Sequence, residues 1–227
     1  MYAIKYATKI NFLSENIRSK YKKPLFIKKP FTPAPKMLRL DMIKSVKEYL
    51  DMPIQYYASA NLIISGDWDI ECIYKFENNE SQVELSDNLL IVWKTVLQLY
   101  KYNYNFTECD QYIKYCYEKK DKNIISQYFL EQRKMYEDMR INGYKTQAQL
   151  FKKKHWNKSI PGDEIPILIG RDGEFVFLSR CANHRIRLAQ ILGIVEVPVI
   201  IWGIHEEFAY QLLMNKSRFK KYSEFIS

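Results

Sequence analysis

At 227 residues the chain can form one domain with a sizeable core, or a smaller domain carrying a large insertion, but not two full-size domains. Its 47% hydrophobic and 27% charged residues fit a globular protein. No run approaches the ~20 apolar residues of a membrane span, or the apolar core of a signal peptide, so a cytoplasmic protein with no membrane partner is expected.

The net charge of +9 suits a polyanionic partner, a nucleotide or a nucleic acid. The basic residues are dispersed over "RSKYKK", "KKK" and "KSRFKK", and none of these runs is long enough to act as a basic arm. Cys72, Cys109, Cys116 and Cys181 form no CxxC pair, so reduced thiols are expected, with neither zinc nor haem.

Residues 1 to 36 are polar and broken by prolines, ending in "KKPFTPAPK", which predicts an extended arm. From Met37, "MLRLDMIKSVKEYL" predicts a short strand or turn entering a helix, with Asp41 as N-cap and Ile43, Val46 and Leu50 on its buried face. "ANLIISGDWDIE" gives a short strand at Leu62 to Ile64, broken by Gly66. If "GDWD" continues as a strand, Asp67 and Asp69 share one face and Trp68 takes the other.

Residues 80 to 159 then read as a helical insertion. "SDNLLIVWKTVLQLYKYNY" has helical spacing after a Ser-Asp capping signal, and "FTECDQYIKYCYEKKDK" is a short helix with Thr107 as its cap. Cys109 and Cys116, seven apart on that helix, read as core. "SQYFLEQRKMYEDMRINGYKTQAQLFKKK" is a helix ended by Gly143 and restarted at Thr146. His155, in "KKKHW", is expected to be exposed.

From Ile165 the pattern becomes α/β. "EIPILIG" is a buried strand, "RDGE" a turn in which Gly173 can supply φ > 0, and "FVFLS" the returning strand. The helix "NHRIRLAQILG", the strand "EVPVIIW" and the helix "HEEFAYQLLMN" follow, with His205 at the last helix start as a cap and a basic tail over 211 to 227. The strands at 62 to 64, 165 to 169, 174 to 178 and 196 to 201 are expected to share one sheet.

The first of these two helices places Asn183, His184 and Arg185 where a strand feeds a helix N-terminus. Free N–H groups and the positive end of the helix dipole hold anions there. Arg185 could grip phosphate oxygens in bidentate fashion, with His184 as a further donor. The competing reading makes Arg185 a salt-bridge partner of a nearby carboxylate and His184 a helix cap.

The order of strand, "GRDGE" turn, strand, "HR" at a helix start, "AQILGI" and "VPV" over residues 164 to about 208 resembles the ParB/sulfiredoxin superfamily, in particular the ParB N-terminal-like (ParB-like nuclease) domain. The resemblance implies an α+β fold: a small mixed sheet with flanking helices, built from 37–79 and 160–210 and interrupted by the insertion. It also implies phosphate handling at the Cys181 to Arg187 turn, with ATP or CTP held by Arg171, Asn183, His184, Arg185 and Arg187. On that reading Mg²⁺ bridges the phosphates beside Asp67 and Asp69, one of which activates a small acceptor.

Three departures narrow what is implied. The chain has no arginine-rich box and only about twenty residues after the last strand, which disfavours DNA partition. Asn183 stands where sulfiredoxins place the reactive cysteine, with Cys181 further back, which disfavours thiol chemistry. Ala182 replaces the usual glycine. The expected function is nucleotide binding with phosphoryl transfer or hydrolysis. The alternatives are a DNA-binding or nuclease-like accessory protein and a non-catalytic nucleotide-sensing module. Glu164 is the fallback acidic group, and removal of Arg185 is expected to cost binding rather than stability.

Overall fold

The computed structural model of the chain describes residues 35–47, 62–64, 66–70, 73–75, 87–150, 164–179, 182–215, 217 and 220–222. Most of the arm, Leu50, Cys72, Ser86, His155 and Cys181 lie outside them. The elements are β1 (Lys36–Arg39), β2 (Ile43–Lys47), β3 (Leu62–Ile64), β4 (Ile73–Lys75), α1 (Asp87–Tyr100), α2 (Asp110–Tyr117), α3 (Lys122–Asn142), α4 (Gln147–Leu150), β5 (Ile165–Ile169), β6 (Phe175–Leu178), α5 (Asn183–Ile191), β7 (Glu196–His205) and α6 (Glu206–Met214).

Among the described residues seven strands form one mixed sheet, six of them in the order β1-β7-β5-β6-β2-β4 and β3 off that path beside β7. β3 runs parallel to β7 along its second half, Leu62 opposite Gly203, while β1 is antiparallel to its first half. The fold is therefore α+β, and the four expected strands do share a sheet.

β5 shows why the core forms here. Ile165, Ile167 and Ile169 point to one face and join Phe177, Val199 and Ile201 under α5 and α1, while Leu168 points to the other and joins Trp202, Val176 and Trp68. A strand covered on both faces reads as a continuous apolar run. Burying each such side chain contributes roughly 1.5–3 kcal/mol over leaving it exposed.

The region after Met37 departs from expectation. A short 3-10 turn at Leu40–Met42 separates β1 from β2, and no helix starts at Asp41. β2 is an inner strand, parallel to β6 and antiparallel to β4. Ile43 and Val46 are both buried because the strand is covered on both sides and its register slips between Ile43 and Ser45, which mimics helical spacing.

The insertion is helical, with two local corrections. Asn105 rather than Thr107 caps the 3-10 turn at Phe106–Glu108, accepting from Thr107 N at 3.2 Å while Glu108 reaches back to Asn105 N. Cys109 is buried just ahead of α2, whereas Cys116 within it is exposed, so the two share no face. Gly143, at φ 73°, ends α3, and Thr146 caps α4 through Gln149 N. Beyond α6, Tyr222 of the basic tail is buried against Phe208, with its hydroxyl donating to Gly173 O at 3.1 Å.

Candidate functional site

The junction after β6 is built on strain at Ala182, an N-cap residue without a capping side chain. Ala182 sits in the left-handed region at φ 59°, ψ 15°, a conformation costing a non-glycine residue roughly 1–2 kcal/mol. It offers α5 no side-chain cap, so the first-turn amides of a nine-residue helix face the junction with the positive end of the dipole behind them. Asn183 Oδ1 is buried there without a hydrogen-bond partner among the described residues.

His184 turns away into the helical insertion. Its Nε2 lies 2.6 Å from the Tyr128 hydroxyl of α3, and the rings meet edge to face. Burial lowers the imidazole pKa to about 4, so His184 is uncharged at neutral pH. Tyr128 packs in turn on Tyr115, which accepts from Gln111 Nε2 at 2.8 Å. Burial pushes the Tyr128 phenol well above its ordinary value, so the hydroxyl facing His184 stays protonated.

Arg185 is buried under the loop between α3 and α4. Its Nη2 donates to Lys145 O at 2.6 Å, and the guanidinium lies over the Tyr144 ring at 4.4 Å. Its Nη1 is 3.6 Å from Glu164 Oε2, an ionic contact too long for a hydrogen bond. Glu164 is 2% exposed and accepts from Gln147 N at 2.6 Å, at the start of α4. Glu164 thus meets Arg185. Arg187 leaves the junction altogether: it lies over the Trp93 ring of α1 and donates to Gln190 Oε1 at 2.8 Å.

The other acidic candidates lie elsewhere. Residues 66–70 form a turn, not a strand, with Gly66 at φ 87°, so the two carboxylates do not share a strand face. Trp68 is buried, donating from Nε1 to Ile64 O at 3.3 Å. Asp69 accepts from Arg171 N at 2.8 Å and from its Nη2 at 2.7 Å, while Asp67 accepts from the same Nη2 at 2.7 Å. Burial raises the Asp69 carboxyl, but the side-chain and backbone bonds from Arg171 and the neighbouring His205 outweigh it and hold the group below its ordinary value.

Arg171 belongs to the β5–β6 turn, and α5 begins beyond the far end of β6. The five residues of β5, at ~3.3 Å each, put the two groups on the order of 16 Å apart. Asp67 and Asp69 therefore do not reach the space around Arg185. A Mg²⁺ ion there would have to compete with the Arg171 guanidinium, which already holds both oxygens of Asp69 and one of Asp67. Among the described residues no group of three or more His, Cys, Asp or Glu gathers to hold a metal.

His205 is 1% exposed, its Nδ1 capping α6 through Glu207 N and its Nε2 meeting Gly66 O at 2.8 Å. It caps as expected, but inside the core. The partners that sequence reading missed, Tyr128, Tyr144 and Lys145, carry no local motif. Their only signal is that a helical insertion must cover some part of the core it interrupts.

No family model, no curated protein and no solved structure matches this chain. None of these comparisons supports the ParB/sulfiredoxin resemblance expected from residues 164 to 208. Among the described residues, no helix is long and apolar enough to cross a membrane.

Proposed function

We propose that the chain binds a nucleoside triphosphate, ATP or CTP, with its phosphates at the N-terminus of α5, and acts in phosphoryl transfer or hydrolysis. The observation that carries this reading is the start of α5, entered from left-handed Ala182, which supplies no side-chain cap, with a buried arginine in its first turn. A phosphate oxygen is a stronger acceptor than the Lys145 carbonyl now bonded to Arg185, so the guanidinium has a partner to exchange. His184 serves as a neutral group oriented by Tyr128, not as a second cation. Glu164 takes the acidic role in place of Asp67 and Asp69.

A non-catalytic sensing role is the second reading, favoured by one feature. His184 and Arg185 touch α3 and the loop before α4 directly, so an occupied turn would alter contacts of the insertion.

Asn183→Asp tests phosphate binding without disturbing the fold, since the change is isosteric and an acid suits a helix start. Calorimetric titration with ATP and CTP should show affinity reduced tenfold or more, at an unchanged melting temperature. Wild-type protein that binds neither nucleotide removes the proposal. Duplex DNA binding that ignores nucleotide and falls steeply with salt would put an accessory DNA-binding protein in its place.

A further inference from the structure

A second concave site lies in the insertion, where the end of α1 and the loop after it face α3. The cleft encloses about 730 Å³, within the roughly 300–1,000 Å³ typical of small-molecule sites. Its sides are aromatic. Tyr100 stacks on Tyr136 at 4.2 Å between centroids, and Phe106 lies 5.5 Å from Phe129.

The loop that closes the cleft is held by its backbone. Lys101 N and Tyr102 N donate to Leu97 O at 2.9 and 3.0 Å, Tyr104 N donates to Gln98 O at 2.8 Å, and Asn105 caps the turn that follows. Asn103 makes the bend in the left-handed region at φ 57°. A wall fixed in this way does not have to be ordered when a ligand arrives.

The polar groups at the cleft select the ligand further. Arg133, on α3, is exposed and makes no salt bridge among the described residues. Its helical neighbour Glu137 is already neutralised by Arg140, whose Nη2 lies 2.8 Å from the carboxylate. The charge presented at this wall is therefore positive. The Asn103 amide and the Ser126 hydroxyl line the same space and make no hydrogen bond among the described residues, leaving donors and acceptors for the edge of a ring.

We infer that this cleft binds a planar aromatic ring with polar edges and an attached anionic group, the chemistry shared by a nucleoside monophosphate and by one nucleotide of a single strand. Ring faces meet Tyr104 and Phe106, ring edges meet Asn103 and Ser126, and the phosphate meets Arg133. The inference does not rest on the junction at α5, because none of its residues belongs to that site.

The test is tyrosine-fluorescence titration of the whole chain with AMP, UMP, the two parent nucleosides and a short oligothymidylate. The wild type should bind the monophosphates or the strand more tightly than the nucleosides. Arg133→Gln should weaken binding about tenfold, and Tyr104→Ala fivefold or more, with melting temperatures unchanged. Asn183→Asp should leave these affinities alone. Monophosphate binding identifies a free nucleotide as the ligand, while binding of the strand alone, falling with salt, identifies single-stranded nucleic acid. If Arg133→Gln and Tyr104→Ala bind as the wild type does, or if neither probe class binds at all, the assignment of this cleft is overturned.

Discussion

The two ends of the sheet use the same ionic parts, an arginine, a buried carboxylate and a histidine, to opposite effect. At the β5–β6 turn the parts close on one another: Arg171 binds Asp69 through side chain and backbone, and His205 Nε2 lies 3.7 Å from the same carboxylate. At the α5 end Arg185 stands 3.6 Å from Glu164 and bonds a neutral carbonyl, that of Lys145, beside a helix start whose N-cap residue, Ala182, has no capping side chain. The first end is a clamp tying residues 66–70 to the sheet. The second keeps a donor set that an anion can take over, which is why phosphate chemistry is proposed there and not at the end richer in aspartate.

Breaking the clamp should cost most. Asp69→Ala removes a side chain with no exposed surface and leaves the Arg171 amide and guanidinium without their principal acceptor, so urea denaturation should show a loss of about 3–5 kcal/mol. Nucleotide affinity at the far end should not change. A loss of affinity at constant stability would show that the two ends form one site after all.

Acid should act on both ends in separable ways. His184 has a folded pKa of about 4 against an ordinary 6.5, so the unfolded chain binds the proton more readily between those values. The stability it contributes is complete above pH 6.5 and is lost as pH falls toward 4, a difference of roughly 3 kcal/mol. Asp69 is also depressed, so its contribution is present above its unfolded value and disappears as pH falls through its lower folded pKa. His184→Gln should therefore flatten the profile between pH 6.5 and 4 and leave the more acidic loss in place. An unchanged upper window would mean that the imidazole is charged in the folded protein.

Arg185→Ala should fall between these effects and the surface ones. It deletes the charge-assisted bond to Lys145 O and the cation beside buried Glu164, for a destabilisation of about 2 kcal/mol by thermal or urea unfolding. The sequence alone suggested a loss of binding with little loss of stability, and the burial of Arg185 changes that expectation. Adding Glu164→Gln should recover part of the stability and none of the nucleotide affinity. Recovery of both would make the arginine a structural partner only.

What could be read in advance follows from how local each signal is. The β5 to β7 segment was legible because three apolar runs are punctuated by Asp-Gly and by Gly193, and each element is specified by only a few neighbouring residues. β2 was not, since an inner strand with a register slip buries Ile43 and Val46 three apart, the same spacing as a helix face. At the junction the residue types and their position at the start of α5 were visible. Their partners were not: the Arg185–Lys145 bond spans 40 positions and the Arg171–Asp69 bond 102, and no short motif encodes either. The second cleft was not legible, because "YKYNY" reads as a continuation of the helix that in fact stops at Tyr100.

The smallest expected effect sharpens the contrast most. Asp67 and Asp69 are two residues apart and touch the same Arg171 nitrogen at the same 2.7 Å, yet the Asp67 side chain is 57% exposed and that of Asp69 fully buried. An exposed carboxylate keeps most of its hydration while paired, so little is gained when the ion pair forms and little is lost when it is removed. Asp67→Ala should therefore cost less than about 1 kcal/mol in urea denaturation, and 1 M salt should erase most of that. The buried pair should respond far less to salt. If Asp67→Ala costs as much as Asp69→Ala, Arg171 depends on both carboxylates together, and the clamp would have to be treated as one coupled unit of three charges.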